Sequence, residues 1–110
     1  MKLFFEILNG IDEGIIKSFD DFSLIKIGTE DDMSIKINDL NCLETIEICN
    51  DNDSIVARLT KGVSFFINNE KIIGAVQLNN GDLIQIGKTL IYLGINTDRI
   101  ERHSILQKVK

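Results

Sequence analysis

The sequence predicts an all-β sandwich of about ten short, mostly antiparallel strands. Runs of β-branched and aromatic residues alternate with clusters of Asn, Asp and Gly, and these turn signals recur roughly every 8–12 residues. That spacing is typical of a β-sandwich or barrel. A chain of 110 residues is long enough to form one domain and to bury about two thirds of its unfolded surface. The predicted strands are 3–8, 15–19, 23–27, 34–37, 45–49, 54–59, 63–68, 71–73, 83–86 and 89–93.

The stretch 78–93 has the clearest strand and turn pattern. Its first turn contains Gly81 and Asp82, residue types that tolerate positive φ or bond their own backbone. An apolar run follows, and Gly87-Lys88 then reverses the chain into a second apolar run. We therefore expect a β-hairpin here.

The N-terminal strands are separated by polar turns. Asn9 and Gly10 end the first strand, and a polar loop at 29–32 follows the third. In the fourth strand Ile35 and Ile37 share one face, because successive side chains of a strand point to opposite sides.

The middle of the chain predicts a second hairpin. Ile46 and Ile48 are expected to face inward, with Thr45 and Glu47 outward, which is the pattern of a strand exposed to water on one side. The polar turn at 50–53 leads into the next apolar run. These two runs are expected to pair.

The domain is expected to span residues 1–95. Residues 96–110 lack strand alternation, and we predict a short helical or disordered tail or linker there. A net charge of −5 argues against binding nucleic acid or an anionic membrane through a basic patch. No apolar run approaches about 18 residues, so we expect no membrane span within this chain.

No motif predicts catalysis, a metal site or a cofactor. Cys42 and Cys49 are seven residues apart and the chain has a single histidine, which does not make a zinc site. Reduced thiols are favoured over a disulfide. Asp51 and Asp53 lack the glycine and glutamate of a calcium loop, so a plain hairpin turn is favoured. We therefore expect a non-catalytic chain without a cofactor.

Four motifs resemble those of the forkhead-associated (FHA) domain, a β-sandwich whose apical loops bind phosphothreonine peptides in typical members. The resemblance covers about residues 3–94 and implies an FHA-like sandwich. The most specific motif is the closing pattern of Leu78, Gly81-Asp82, Ile84 and Ile86-Gly87. The other three are Asn9-Gly10 with Glu13-Gly14-Ile15, Ile25-Lys26-Ile27-Gly28, and Phe66-Ile67-Asn68-Asn69 followed by Ile72.

The phosphate-binding positions of the family are changed in this sequence. Binding a phosphate of nearly two negative charges needs fixed cationic donors, bidentate arginine above all. None of the matching side chains is cationic, and the acidic run 30–32 would repel phosphate. The resemblance thus implies a degenerate domain without phosphothreonine binding. The matching residues are Thr29, Cys42, Leu43, Thr45, Val63 and Ser64, and with Glu30, Asp31, Asp32 and Asn69 they are the candidate partner-contact residues.

This degenerate pattern is similar to the cytoplasmic N-terminal domain of the type III secretion inner-membrane ring protein family. That resemblance implies a scaffold on the cytoplasmic side of the inner membrane. Its partners would be other protein subunits of a membrane-associated assembly, including copies of itself. One alternative is a signalling reader with an atypical phosphate site, in which Lys26 or Lys36 supplies charge from strands away from the apical loops. Another is an FHA-like domain of a different secretion machine, such as a type VII secretion ATPase.

Overall fold

The computed structural model describes residues 1–96, which form eleven strands in two sheets. The predicted all-β sandwich is confirmed. The predicted tail lies outside the described residues, apart from Asn96. The strands are β1 (Lys2–Ile7), β2 (Ile16–Asp20), β3 (Leu24–Gly28), β4 (Ile35–Lys36), β5 (Thr45–Asp51), β6 (Ser54–Lys61), β7 (Phe65–Ile67), β8 (Glu70–Ile72), β9 (Ala75–Leu78), β10 (Leu83–Ile86) and β11 (Thr89–Ile95).

The strands are shared between a six-stranded and a five-stranded sheet. The six-stranded sheet has the order β2-β1-β11-β10-β7-β8, and all its pairings are antiparallel. The five-stranded sheet has the order β4-β3-β5-β6-β9, in which β3 and β4 are parallel. Among residues 1–96, no helix is long and apolar enough to cross a membrane.

The core lies between the two sheets and is built by strand alternation. Ile46 and Ile48 of β5 are buried, as the alternating pattern predicts, and Ile35 and Ile37, which share one face around β4, are buried as well. On the six-stranded sheet, Phe5 packs edge-to-face with Phe19 of the neighbouring strand at 5.9 Å between ring centroids. Large aliphatic and aromatic side chains from both sheets therefore form one continuous core.

A second, smaller cluster lies on the outer face of the six-stranded sheet. Phe4, Leu83 and Tyr92 are buried there, with the partly buried Leu8 packed against them. The Phe4 and Tyr92 rings meet edge-to-face at 6.3 Å and 70°. The outer face of the central strands β1, β10 and β11 thus carries a small buried apolar cluster, beside the half-buried polar residues Glu6 and Gln85.

The predicted hairpins are present, with small changes in their turns. The turn between β10 and β11 is Gly87-Lys88, with Ile86 paired to Thr89 as expected. The turn between β5 and β6 narrows to Asn52-Asp53, whose φ values of 50° and 67° suit a tight hairpin. The same geometry joins β7 to β8, where the turn residues are 68 and 69 and not the predicted 69 and 70.

Strand β9 is a strand that the sequence did not predict. It forms an edge of the five-stranded sheet and pairs with β6, with Ala75 opposite Arg58 and Leu78 opposite Ile55. Its four residues include only two branched apolar side chains, so local pattern gives little signal. The strand forms by pairing with β6, a segment about twenty positions earlier in the chain. With β9 included, the number of strands is eleven, whereas about ten were predicted.

Candidate interaction surface at the apical end

Six connections meet at one end of the sandwich, which we call the apical end. Strand direction places them there, since each antiparallel pairing fixes which strand ends are adjacent. The turns that follow β2, β5, β7 and β9 lie at the opposite end. The apical connections are 8–15, 29–34, 37–44, 62–64, 73–74 and 87–88.

Asp39 ties the 37–44 loop to the turn between β10 and β11. Its Oδ2 accepts hydrogen bonds from the Lys88 backbone N–H at 2.8 Å and from Thr89 Oγ1 at 3.0 Å. Its Oδ1 accepts one from the Asn41 N–H at 2.8 Å. Burial acts to raise the pKa of Asp39, but these donors outweigh it and hold the pKa below its ordinary value. The carboxylate therefore stays charged and holds two connections together.

Asp12 holds the same loop from the β1–β2 side. This buried carboxylate accepts hydrogen bonds from the Asn38 backbone N–H at 2.6 Å and from Asn38 Nδ2 at 2.9 Å. Neighbouring Asp39 and Asn38 thus attach the 37–44 loop to two other connections. The loop is consequently fixed at both sides although it has no regular secondary structure of its own.

The acidic run predicted from the sequence is exposed at the apical end. Asp31 and Asp32 project from the 29–34 loop beside Thr29, and all three are exposed. The Asp31 carboxylate binds the Lys36 ammonium, whose hydrogen bond and positive charge hold the pKa of Asp31 below its ordinary value. Lys36 therefore reaches this loop, so the expectation that it lies away from the apical loops is wrong.

Two of the candidate contact residues are buried. Cys42 lies in the core beneath the 37–44 loop, where its Sγ donates to the Glu44 carbonyl at 3.4 Å and burial raises the pKa of its thiol. Thr45 is also buried, so the expectation that it faces solvent is wrong. A Cβ built on Gly28 would lie 2.9 Å from Thr45 Oγ1, which shows how closely that hydroxyl is covered.

The remaining candidates are divided between the two ends. Leu43 and Val63 are exposed at the apical end, and Ser64 beside Val63 is half-buried. Asn69 occupies the β7–β8 turn, which lies at the opposite end because β7 runs away from the apical end. The structure thus brings together residues from three apical loops but not Asn69.

Cationic side chains at the apical end are few, and two are already paired. Lys61 Nζ lies 2.9 Å from Glu30 Oε1, and Lys36 contacts Asp31 as described. Within residues 1–96 the single arginine is Arg58, which lies opposite Glu47 in the β5–β6 pairing and outside the apical loops. No described apical loop therefore offers the bidentate guanidinium that phosphate recognition favours.

The architecture is that of the FHA fold. No family model matches the sequence, and no curated protein matches it. Solved structures of FHA domains match the fold at identities of 20% or less, so the likeness concerns the fold alone.

Three solved structures illustrate this likeness. An FHA domain from a study of phosphothreonine-dependent FHA interactions has a TM-score of 0.72 and 18% identity, covering 88% of this chain and 99% of its own. The FHA domain of CT664 from Chlamydia trachomatis has a TM-score of 0.72 and 20% identity, covering 88% and 100%. The cytoplasmic domain of PscD, a type III secretion sorting-platform protein of P. aeruginosa, has a TM-score of 0.73 and 9% identity, covering 92% and 86%.

Proposed function

We propose that this chain is a non-catalytic protein–protein interaction domain that does not recognise phosphothreonine. The observation that carries the proposal is the charge of the apical end. Acidic residues 30–32 lie on an exposed loop, the apical loops contain no arginine, and Lys36 and Lys61 are paired with acidic side chains. At the 29–34 loop a phosphate would meet carboxylates in place of fixed cationic donors, and the third apical lysine, Lys88, is exposed on the β10–β11 turn.

We further infer that the chain serves in the cytoplasmic part of a type III secretion inner-membrane ring component. Support comes from the fold shared with the PscD cytoplasmic domain over 92% of this chain, together with the changed phosphate site. In this role the domain lies on the cytoplasmic face of the inner membrane. Its partners are other subunits of the assembly and further copies of itself.

A titration tests the absence of phosphate recognition. The isotopically labelled chain is titrated with a degenerate phosphothreonine peptide library and with its unphosphorylated counterpart, followed by NMR. We expect no phosphate-dependent shift at 29–32, 42–45 or 62–64, with any phosphate-dependent binding weaker than about 1 mM. A saturable shift that requires the phosphate would contradict the proposal.

The second candidate function is a phosphopeptide reader with an atypical site. The observation in its favour is that Lys36 reaches the 29–34 loop, where a phosphate would have to displace Asp31 from it. Phosphate-dependent shifts that disappear in Lys36→Ala would identify this function.

A charge reversal tests assembly through the apical loop. Glu30, Asp31 and Asp32 are replaced by Lys in the full-length protein, and its native subunits are recovered by co-purification from membranes. We expect about a tenfold lower yield, because complementary charge steers association and like charge opposes it. The fold should persist, because ion pairs on exposed side chains contribute about 1 kcal/mol or less.

The matched control reverses three exposed carboxylates at the opposite end. Asp20, Asp51 and Glu70 replaced by Lys give the same change in net charge without touching the apical loops. An equal loss of yield in both variants, or no loss in either, would exclude the 29–34 loop from the interface.

A further inference from the structure

We propose that the apical end docks an unphosphorylated segment of a partner protein that combines apolar side chains with Lys or Arg. This inference rests on the proposed function and specifies the partner's chemistry. Three features of the apical end carry it: protruding apolar side chains, loops that are already fixed, and an excess of carboxylates.

Of the five large apolar side chains within residues 1–96 that are more than 70% exposed at the apical end, four lie on three neighbouring loops, and the fifth, Ile73, lies on the 73–74 connection. Ile11, Leu40, Leu43 and Val63 are 83, 101, 73 and 72% exposed. At the opposite end the large apolar side chains with the greatest exposure are Leu24 and Met1, at only 42 and 39%. A single exposed Leu is ordinary on a protein surface, but several at one end mark an interaction site. We call these four residues the apical apolar surface.

Neighbouring loops bring these side chains together. Ile11 and Leu40 line the same open cavity of about 320 Å³, between the β1–β2 loop and the 37–44 loop. On the other side, a Cβ built on Gly62 would lie 2.7 Å from Cγ of Glu44, so the loops that carry Val63 and Leu43 are in contact. The apical apolar surface therefore runs across three adjoining loops.

Two of the three loops under this surface, 8–15 and 37–44, are tied to each other or to the β10–β11 turn before any partner binds. Leu40 follows Asn38 and Asp39 directly, and those residues are bonded to Asp12 and to the Lys88-Thr89 segment. Association costs less free energy when the contacting loops need not be ordered. An exposed leucine on such a loop is consequently well placed to act as an anchor in binding.

The charge around the surface selects a basic partner. The apical loops and the strand residues adjoining them carry seven carboxylates and three lysines, and two of those lysines are paired with Glu30 and Asp31. Lys or Arg flanking the apolar residues of a partner would complement this field, whereas phosphate or nucleic acid would be repelled. The carboxylates are Asp12, Glu13, Glu30, Asp31, Asp32, Asp39 and Glu44, and the lysines are Lys36, Lys61 and Lys88.

The occupant is a different protein and not the apical end of a second copy. Two apical ends facing each other would bring one set of carboxylates against an identical set. Such like-charge contact opposes association at close range. Any contacts between copies of this chain would then use other faces, which leaves the apical end available to the partner.

A peptide selection tests this inference directly. The chain is immobilised and challenged with a random 12-residue display library, which carries no phosphate. We expect enriched peptides to combine Leu, Ile, Val or Phe with Lys or Arg. A synthetic enriched peptide should shift the NMR signals of residues 10–13, 38–44 and 62–64 in the unmodified chain.

Two variants then locate the site. Leu40→Ser combined with Leu43→Ser should weaken binding of the enriched peptide at least about tenfold, because truncating central anchors typically has effects of this size. Leu24→Ser, at the opposite end, should leave binding unchanged. Exchanging Lys and Arg of the peptide for Glu should also weaken it at least about tenfold.

The possible failures are distinguishable. No enrichment, enrichment of acidic peptides, shifts away from the apical loops, or equal binding by the double variant would each overturn this inference. The shift map of the unmodified chain decides the location even if the double variant does not fold. Phosphate-dependent NMR shifts in the separate titration would contradict the proposed function. If the titration gives no such shifts and the selection enriches no apolar and basic peptides, only the present inference is contradicted.

Discussion

Gly87→Val is expected to lower the free energy of unfolding by about 4 kcal/mol, the sum of two separate costs. Gly87 has φ of 59°, a conformation that a β-branched residue adopts only with strain. In addition, a Cβ at this position would lie 2.8 Å from both Cα and Cβ of Cys42 and 2.9 Å from Oδ2 of Asp39. Urea unfolding of the chain measures the loss.

The neighbours of Gly87 have little freedom to move away. The Cys42 backbone N–H donates to the Asp39 carbonyl at 3.0 Å, and the Asp39 carboxylate is held by the Lys88 N–H and the Thr89 hydroxyl. A side chain at Gly87 therefore forces the 37–44 loop off the β10–β11 turn. That displacement would also disturb the loop that carries Leu40.

Gly10→Val is the matched control. Gly10 also has positive φ, at 77°, but a Cβ there would have no atom within 4 Å. This variant should bear only the backbone cost, about 2 kcal/mol. Equal losses at the two positions would show that close contact around Gly87 contributes nothing, contrary to the packing described.

Local pattern predicted the fold because its strands are amphipathic and its turns carry specific residue types. Ile46 and Ile48 alternate into the core, and Gly87-Lys88 forms the turn at which it was expected. Gly81, expected in a turn that needs positive φ, has φ of 87°. Strand β9 was missed because it depends on pairing with β6, and no local pattern records that pairing.

The candidate site was less predictable because exposure at a loop depends on tertiary structure. The order of the strands decides that Asn69 lies at the end opposite the apical loops. Cys42 is buried because the 37–44 loop folds over the core. Ile11 and Leu40 are apolar residues in polar loops, and residue type alone does not distinguish them from core residues. One signal was available, since each stands isolated among turn residues with no alternating partner.

Asp82→Ala is expected to lower the free energy of unfolding by about 3 kcal/mol, because it removes two charge-assisted hydrogen bonds accepted by a buried carboxylate. The buried Asp82 carboxylate accepts from Asn68 Nδ2 at 2.9 Å and from the Asn79 backbone N–H at 2.7 Å. It thus joins the β7–β8 turn to the turn before β10. This role gives a physical reason for the Gly-Asp pair in the closing motif. Chemical unfolding measures the effect. The control is Asp20→Ala, which removes an exposed carboxylate and should change the free energy of unfolding by at most about 0.5 kcal/mol.

A double-mutant cycle with Asn68→Ala tests whether Asp82 acts through that link. Asn68 Oδ1 accepts from the Leu83 N–H at 2.9 Å while its Nδ2 donates to Asp82, so the two side chains form one network. Members of a shared network are not independent, and the double variant should lose at least about 1 kcal/mol less than the two single losses added together. Strict additivity would show that the two turns are held separately. Because this network lies at the end opposite the apical apolar surface, the folded fraction of Asp82→Ala should keep its affinity for the selected peptide.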